Sequence, residues 1–191
     1  MRKLILSEWL SLDGNVSDKN GQLDFFTSLS PEENKYADED QLKFLETIDT
    51  ILLGRKTYEL FANFWPTATT DTEVIADKLN ELPKKVFSNT LIQAPWGKWE
   101  EAEVIKGEAV EAIKKLKALP GKNMVMWGSI SIAQALMKAD LIDEYHIQLC
   151  PVLTGGGRSF FSQEMDTSKL YLAEVRQYET GTVLLKYNCH V

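Results

Sequence analysis

The feature that most limits how this chain can fold is a repeated order of short apolar runs and amphipathic segments. Apolar runs at 50–53 and 123–127 each end at a glycine, and each is followed by a segment with helical spacing. Strands that alternate with helices in this way pack as a wound sheet covered on both faces. The sequence therefore predicts an α/β fold with three layers (helix, sheet, helix) and a mostly parallel sheet.

The apolar periodicity assigns strands and helices to most of the chain. Strands are predicted at 3–12, 50–53, 85–88, 103–105, 123–127 and 145–149. Helices are predicted from the Ser30-Pro31 cap to about Ile48, and at 55–64, 74–82, 108–119 and 130–139. In the tail, strand-like runs at 170–179 and 182–189 flank Thr180-Gly181, which predicts a C-terminal antiparallel hairpin.

Length and charge limit the domain count and the class of partner. The 191 residues are 44% hydrophobic, enough for one core, so one domain over 1–191 is expected. The net charge is -7, and no block of consecutive basic residues points to nucleic acid or an anionic membrane. No segment reaches the roughly 18 apolar residues of a membrane span. We expect a cytoplasmic protein with a small-molecule partner.

Cysteine usage gives no sign of a metal site. Cys150 and Cys189 each lie in an apolar strand-like run, without a CxxC spacing or a histidine cluster nearby. We expect both to be buried free thiols and no metal to be bound.

Three predicted turns follow strands at the edge where wound sheets bind ligands. They are Gly54-Arg55, Ser88-Asn89 and Gly128-Ser129. A helix starting near Arg55 directs N–H groups at an anion, and Arg55 and Thr57 add phosphate donors. Each feature also has a purely structural interpretation, since Gly54 can simply make the turn and Ser129 can cap its helix. Two such helix starts together suggest a diphosphate, although neither turn matches the GxGxxG or Walker spacing.

Five short motifs occur in an order that resembles a known superfamily. They are Ser11-Leu12-Asp13-Gly14, Gly54-Arg55-Lys56-Thr57-Tyr58-Glu59, Ser88-Asn89-Thr90, Trp127-Gly128-Ser129 and Asp143-Glu144-Tyr145. With this set the chain resembles the dihydrofolate-reductase-like proteins over nearly its whole length. The run Pro151-Val152-Leu153-Thr154-Gly155-Gly156-Gly157-Arg158, followed by Phe160-Phe161, is most similar to the reductase domain of the bifunctional riboflavin-biosynthesis deaminase/reductase. The resemblance implies the dihydrofolate-reductase-like fold and a homodimer.

The resemblance also implies NADPH as the cofactor. Gly54, Arg55, Lys56 and Thr57 match the motif that holds its phosphates, Ser88 and Asn89 the adenosine-phosphate loop, and Gly128 and Ser129 the pyrophosphate turn. Two positions depart from the pattern. The superfamily often has Gly-Gly at Gly128-Ser129 and a basic residue at Asn89, and the second departure leaves the preference for NADPH over NADH open.

The catalytic group is harder to assign. The acidic residue of dihydrofolate reductases lies ahead of the GR motif, where Asp38, Glu39 and Asp40 offer no convincing local match. Asp13 is the candidate, because it follows the first strand within the Ser-Leu-Asp-Gly motif and can contact a substrate ring or relay a proton. A turn-forming aspartate is an equal alternative.

Three aromatic residues are expected near the mouth of the same site. Trp9, Phe64 and Trp65 can stack on a flat heterocycle there, while packing in the core or at the rim is the alternative.

The sequence favours an NADPH-dependent reductase of a pterin-like or pyrimidine-like heterocycle. By resemblance, the nearest chemistry is that of a 5-amino-6-(5-phosphoribosylamino)uracil reductase, although a stand-alone chain without a deaminase domain can have taken another substrate. One alternative is a non-catalytic nucleotide- or antifolate-binding protein of the same fold. A second alternative is a partner-binding domain in which the glycine turns serve stability alone.

Overall fold

The computed structural model describes residues 2–23, 31–162 and 166–190, and for 31–38 the backbone alone. The strands are β1 (Leu4–Ser11), β2 (Ile48–Gly54), β3 (Lys84–Phe87), β4 (Glu103–Ile105), β5 (Asn123–Trp127), β6 (Glu144–Cys150), β7 (Tyr171–Gln177) and β8 (Val183–Asn188). The helices are α1 (Pro31–Glu46), α2 (Arg55–Phe64), α3 (Ala76–Glu81), α4 (Ala109–Ala118) and α5 (Ile130–Lys138), with a short 3-10 turn at Trp65–Thr67.

The described strands form one eight-stranded sheet in the order β4-β3-β2-β5-β1-β6-β8-β7. All pairings from β4 to β6 are parallel. β8 runs antiparallel to β6, and β7 antiparallel to β8, across a turn at Gly181 with φ 80°. The predicted fold class, a mostly parallel α/β sheet ending in an antiparallel hairpin, is confirmed.

The two faces of the sheet are covered by different helices. Leu4 of β1 packs in the same buried cluster as Leu136 of α5. Its neighbour Ile5 belongs to the opposite cluster, with Leu45 of α1 and Leu79 of α3. Successive side chains of a strand point to opposite faces, so one strand supplies both cores. The chain thus forms the three layers that the sequence predicts.

The first helix ends earlier than predicted. Leu42, Leu45 and Ile48 have helical spacing, but α1 ends at Glu46, and Ile48 begins β2 opposite Asn123. Ile48 is β-branched and only 2% exposed, which suits a buried strand position. The predicted cap at Ser30 lies outside the described residues.

β1 is longer than β5 beside it, and this difference positions the site. Residues up to Ser7 pair with β5 on one side and β6 on the other. From Glu8 to Ser11, β1 pairs with β6 only, because the chain turns away after β5 at Gly128, where φ is 53°. A notch therefore opens at the carboxyl end of the sheet, between β1 and the start of α5, where wound sheets bind their ligands.

Both cysteines are free. Cys150 is buried as predicted, whereas Cys189 is partly exposed because it lies just beyond β8. Burial raises the pKa of both thiols to about 11, so neither is a reactive thiolate at neutral pH. In the parts of the chain that the structure describes, no helix is long and apolar enough to cross a membrane.

Candidate active site

A cavity of about 1310 Å³ opens at the notch. Its wall includes the first residues of α2 and α5 and the segment leading into α4, together with Glu8 and Trp9 of β1. Pockets for one small ligand typically measure about 300–1,000 Å³. The space therefore suits a large ligand, or two ligands side by side.

The structure brings most of the predicted site residues to this cavity. Those that line it are Trp9, Arg55, Lys56, Thr57, Phe64, Trp65, Ser88, Asn89, Gly128 and Ser129. Gly54 does not line the cavity but packs against Ser129, which does, whereas Asp13 does not line it. Three turns that are far apart in the sequence thus converge on one space.

The starts of α2 and α5 cross at two glycines. A Cβ on Gly54 would lie 2.1 Å from the Cβ of Ser129, and one on Gly128 would lie 2.3 Å from Oγ1 of Thr57. Gly54 is required for space alone, since its φ is -84°, whereas Gly128 is required for space and for its left-handed backbone. This close crossing places two helix N-termini on the same wall, where their free N–H groups can bind an anion.

Arg55 adds positive charge at the start of α2. Its guanidinium donates a hydrogen bond to Oε1 of Glu59 over 2.9 Å, and both side chains are nearly half exposed (46% and 45%). Exposed pairs one helical turn apart contribute only about 0.3–0.5 kcal/mol. A phosphate can therefore compete with Glu59 for Arg55.

Ser88 and Asn89 bond mainly to their own surroundings. Oγ of Ser88 accepts hydrogen bonds from the backbone N–H groups of Thr90 and Leu91, at 3.2 and 3.1 Å. Oδ1 of Asn89 accepts one from Gly107 N–H over 2.7 Å. The bond from Gly107 thus connects the turn after β3 to the segment that leads into α4.

An aromatic wall faces the same space. The rings of Phe64 and Trp65 meet edge to face with centroids 5.2 Å apart, and Phe61 lies 6.0 Å from Trp127. Phe64 is 49% exposed, and Trp9 lines the cavity from β1. Phe61 and Trp127 were not predicted as site residues, although Phe61 lies one helical turn before Trp65. Together these rings suit a flat ring system.

Asp13 does not reach the cavity wall. Its carboxylate accepts hydrogen bonds from the backbone N–H groups of Thr154 and Gly155, at 3.1 and 3.0 Å. Hydrogen bonds from the Ser11 side chain and from these two amides lower the pKa of Asp13 to about 2. The Ser-Leu-Asp-Gly turn and the glycine-rich loop are therefore fastened together by Asp13, and its predicted catalytic role has no support in its position.

Glu8 is a carboxyl group of the cavity wall at the notch, and it was not among the site residues predicted from the sequence. Its Oε2 accepts a hydrogen bond from Gly128 N–H over 3.1 Å, and its Oε1 one from Trp9 N–H over 3.3 Å. Burial raises the pKa of Glu8 to about 7, against the opposing effect of these two bonds. A signal was present, since Leu6, Glu8 and Leu10 fall on one face of β1 and a carboxyl is rare in such a buried series.

No group of three or more histidine, cysteine or acidic side chains that could hold a metal ion occurs among the described residues. The cavity offers helix N-termini, the cations Arg55 and Lys56 beside them, an aromatic wall and the carboxyl of Glu8 at the notch.

Comparison of the sequence with known proteins identifies a family and a relative that each match nearly the whole chain. Residues 2–184 match the family described as the RibD C-terminal domain. The uncharacterized protein YyaP of Bacillus subtilis (strain 168) is 31% identical over 189 residues, covering 98% of this chain and 95% of YyaP.

Solved structures agree with the observed fold. A "Putative riboflavin biosynthesis protein" from Shewanella sp. PV-4 superposes with a TM-score of 0.74 at 26% identity, over 97% of this chain and 98% of that one. Dihydrofolate reductase from Enterococcus faecalis, complexed with NADP(H), superposes with a TM-score of 0.56 at 16% identity, over 97% and 95%. At that identity the second likeness concerns the fold alone.

Proposed function

This chain belongs to the RibD C-terminal domain family, and we propose that it is a reductase that uses NADPH to reduce a pterin-like or pyrimidine-like heterocycle. The observation that carries the proposal is the crossing of two helix N-termini at Gly54 and Gly128, beside Arg55 and an aromatic wall. The membership supports a reductase, and the site supports the cofactor and the class of substrate.

The residues at the crossing fit a dinucleotide. The N–H groups at the starts of α2 and α5 would hold the diphosphate, with Arg55 and Lys56 neutralising its charge. Thr57 and Ser129 would add hydroxyl contacts to the same phosphates. Ser88 and Asn89 lie further along the wall, where they would shape the adenosine end.

The remaining wall fits the reacting rings. A reduced nicotinamide supplies a hydride when it is bound. Trp9, Phe64 and Trp65 would align flat rings against the notch and exclude water from them. A volume of about 1310 Å³ leaves room for a heterocyclic substrate beside the dinucleotide.

The proposal includes one domain over 1–191, a cytoplasmic location and a homodimer. β7 is an edge strand that exposes Leu172 and Val175, each by 56%. Exposed apolar edges are commonly covered by a second chain, which supports the dimer. Light scattering of the purified protein measures it directly, and a monomer at micromolar concentration would remove this part of the proposal.

The cofactor assignment is tested by titrating purified protein with NADPH and with NADH while following tryptophan fluorescence. Trp9, Trp65 and Trp127 line the cavity, so bound NADPH should quench them. Arg55→Ala should weaken NADPH binding roughly 10- to 100-fold, the effect of losing a charge-assisted hydrogen bond. Arg176→Ala is the matched control, because Arg176 lies on β7 and pairs with Asp40 away from the cavity.

Each outcome of this titration has a meaning. Binding of NADPH that weakens in Arg55→Ala but not in Arg176→Ala supports the proposal. Failure to bind either dinucleotide overturns it in favour of a partner-binding domain. Tight binding without oxidation of NADPH across a broad panel of pterins and aminopyrimidines favours a non-catalytic binding protein.

A further inference from the structure

We propose that Glu8 is the catalytic acid of this site, and that its carboxyl group donates a proton to a ring or imine nitrogen of the substrate while the neighbouring carbon is reduced. The inference rests on the proposed function and adds the residue that donates the proton.

The position of Glu8 follows from the length of β1. Beyond Ser7, β5 no longer covers this strand, so the side of β1 that would pair with β5 opens into the notch. Alternation along the strand puts Glu8 in the inward series with Leu6 and Leu10. A carboxyl is costly to bury in such a series unless its hydrogen bonds are satisfied. Its presence at a cavity wall therefore favours a functional role over a contribution to packing.

Two backbone amides orient the Glu8 carboxyl. The bonds from Trp9 N–H and Gly128 N–H reach one oxygen each, which fixes the plane of the group. Gly128 also belongs to the turn proposed to hold the dinucleotide diphosphate. The carboxyl therefore lies where the cofactor wall meets the substrate space. A proton donor needs this proximity to both reactants.

The protonation state of Glu8 suits an acid. Burial holds its pKa near 7, so the protonated form is present at neutral pH, as general acid catalysis requires. The other charged side chains that line the cavity are Arg55, Lys56, Glu73, Glu108 and Arg158. Burial raises the pKa of Glu73 as well, so Glu73 can also take up a proton when an anion binds. The control below is therefore Glu111, an exposed carboxylate of α4 that pairs with Lys114 and does not line the cavity.

The step balances in atoms and electrons. The substrate carbon gains a hydride from a reduced nicotinamide dinucleotide, and the C=N π pair moves to nitrogen. That nitrogen forms its new N–H bond as the O–H bond of Glu8 breaks, and the electron pair of that bond stays on the carboxylate. Water then returns a proton to Glu8, so one proton is consumed in each turnover.

The first test needs no substrate and uses NADPH as the probe. A diphosphate at the Gly128 turn disfavours a carboxylate on Glu8, so binding should raise its pKa further and take up a proton. Calorimetric titrations of the intact protein at pH 7.5, in two buffers of different ionisation enthalpy, measure this uptake. We expect on the order of half a proton more in the wild type than in Glu8→Gln, with Glu111→Gln like the wild type.

The outcomes separate this inference from the function on which it rests. If NADPH does not bind, both the proposed function and this inference are wrong. If NADPH binds with equal uptake in the wild type and Glu8→Gln, or if Glu111→Gln removes the uptake, the role of Glu8 is overturned while the proposed function stands.

Turnover provides the second test, on whichever cyclic imine from a dihydropterin and aminopyrimidine panel is reduced. Glu8→Gln should lower kcat roughly 10²- to 10⁴-fold while keeping the affinity for NADPH, and Glu8→Asp should restore part of the rate. The wild-type kcat should fall as pH rises, with a midpoint above 7 because bound NADPH raises the pKa of Glu8 further. A kcat in Glu8→Gln equal to that of the wild type would overturn the inference.

Discussion

Two walls of the cavity are built on different physical principles. The glycine wall, residues 54–57 and 128–131, depends on shape, since a single added methyl group would overlap the opposite helix start. The strand wall, Glu8 and Trp9, depends on charge, since its one carboxyl is held in a partly buried place by backbone amides. The glycine wall positions the ligand, which requires close packing. The strand wall serves the chemistry, which requires a carboxyl with a shifted pKa.

The difference also explains which wall is visible in a sequence. Glycines at helix starts form short local motifs, so the glycine wall can be recognised from Gly54-Arg55 and Gly128-Ser129. A single glutamate in a strand has no motif, and its meaning depends on where the neighbouring strand ends. Asp13 lies in a recognisable motif but does not line the cavity, whereas Glu8 lines the cavity but belongs to no recognisable motif.

Among the variants that compare the two walls, Gly54→Ala should have the largest effect, because its added methyl group disturbs both folding and NADPH binding. Gly54→Ala puts a methyl group 2.1 Å from the Ser129 Cβ, so the start of α5 must move. We expect a loss of about 1–3 kcal/mol in the free energy of unfolding and at least roughly 10-fold weaker NADPH binding. Chemical denaturation and the fluorescence titration measure the two effects.

Relieving the overlap gives the control. Gly54→Ala combined with Ser129→Gly removes the clashing Cβ and should recover much of the affinity, since the φ of Gly54 suits alanine. If Gly54→Ala binds NADPH as the wild type does, the glycine wall is not tightly packed and its description is wrong.

Glu8→Gln, which removes a charge and keeps the shape, should have the next largest effect, and the size of its effect on stability depends on pH. The folded pKa of Glu8 is raised from 4.5 to about 7, so its contribution to stability is fully present below pH 4.5 and is lost as pH rises through 7. Glu8→Gln keeps the shape without that loss. It should match the wild type near pH 4.5 and exceed it by up to about 3 kcal/mol above pH 7.

Urea denaturation at a series of pH values measures this difference. A stability gap between wild type and Glu8→Gln that does not change from pH 4.5 to pH 8 would mean that Glu8 titrates as an ordinary glutamate. The two walls would then no longer be distinguished by charge.

Asp13 provides a contrast with Glu8, because it is a carboxylate that does not line the cavity. Asp13→Ala removes the acceptor for Thr154 and Gly155 N–H, so hydrogen exchange at these two amides should speed up. Affinity for NADPH should change little. Asp13→Asn keeps an acceptor oxygen and should show a smaller effect on exchange. A fall in turnover as large as that of Glu8→Gln would instead support the catalytic role predicted for Asp13.

The smallest effect is expected at Glu59, which competes for Arg55. Glu59→Gln removes an exposed ion pair, so Arg55 becomes more available to phosphate. NADPH affinity should rise by about 2-fold, in keeping with the strength of such pairs. The fluorescence titration detects this change, and weaker binding would indicate that Glu59 orients Arg55 rather than competing for it.

Much of the fold could be predicted because it is set by local periodicity. Strand β5 was placed from its continuous apolar run, and the hairpin from Thr180-Gly181. The misplaced boundary at Ile48 arose because its spacing fits a helix and a strand equally, and pairing with Asn123 decides between them. Strand order and the overhang of β1 depend on long-range pairing, so no local pattern revealed the notch. The alternation of Leu6, Glu8 and Leu10 marks an unusual carboxyl but does not show what it faces.

A crystal structure of the protein with NADPH would show the dinucleotide and the Glu8 carboxyl together. We expect the diphosphate on the N–H groups at the starts of α2 and α5, contacted by Arg55, with the nicotinamide in the notch next to the Glu8 carboxyl. A dinucleotide bound away from the Gly54 and Gly128 crossing, or a nicotinamide remote from Glu8, would contradict this expectation.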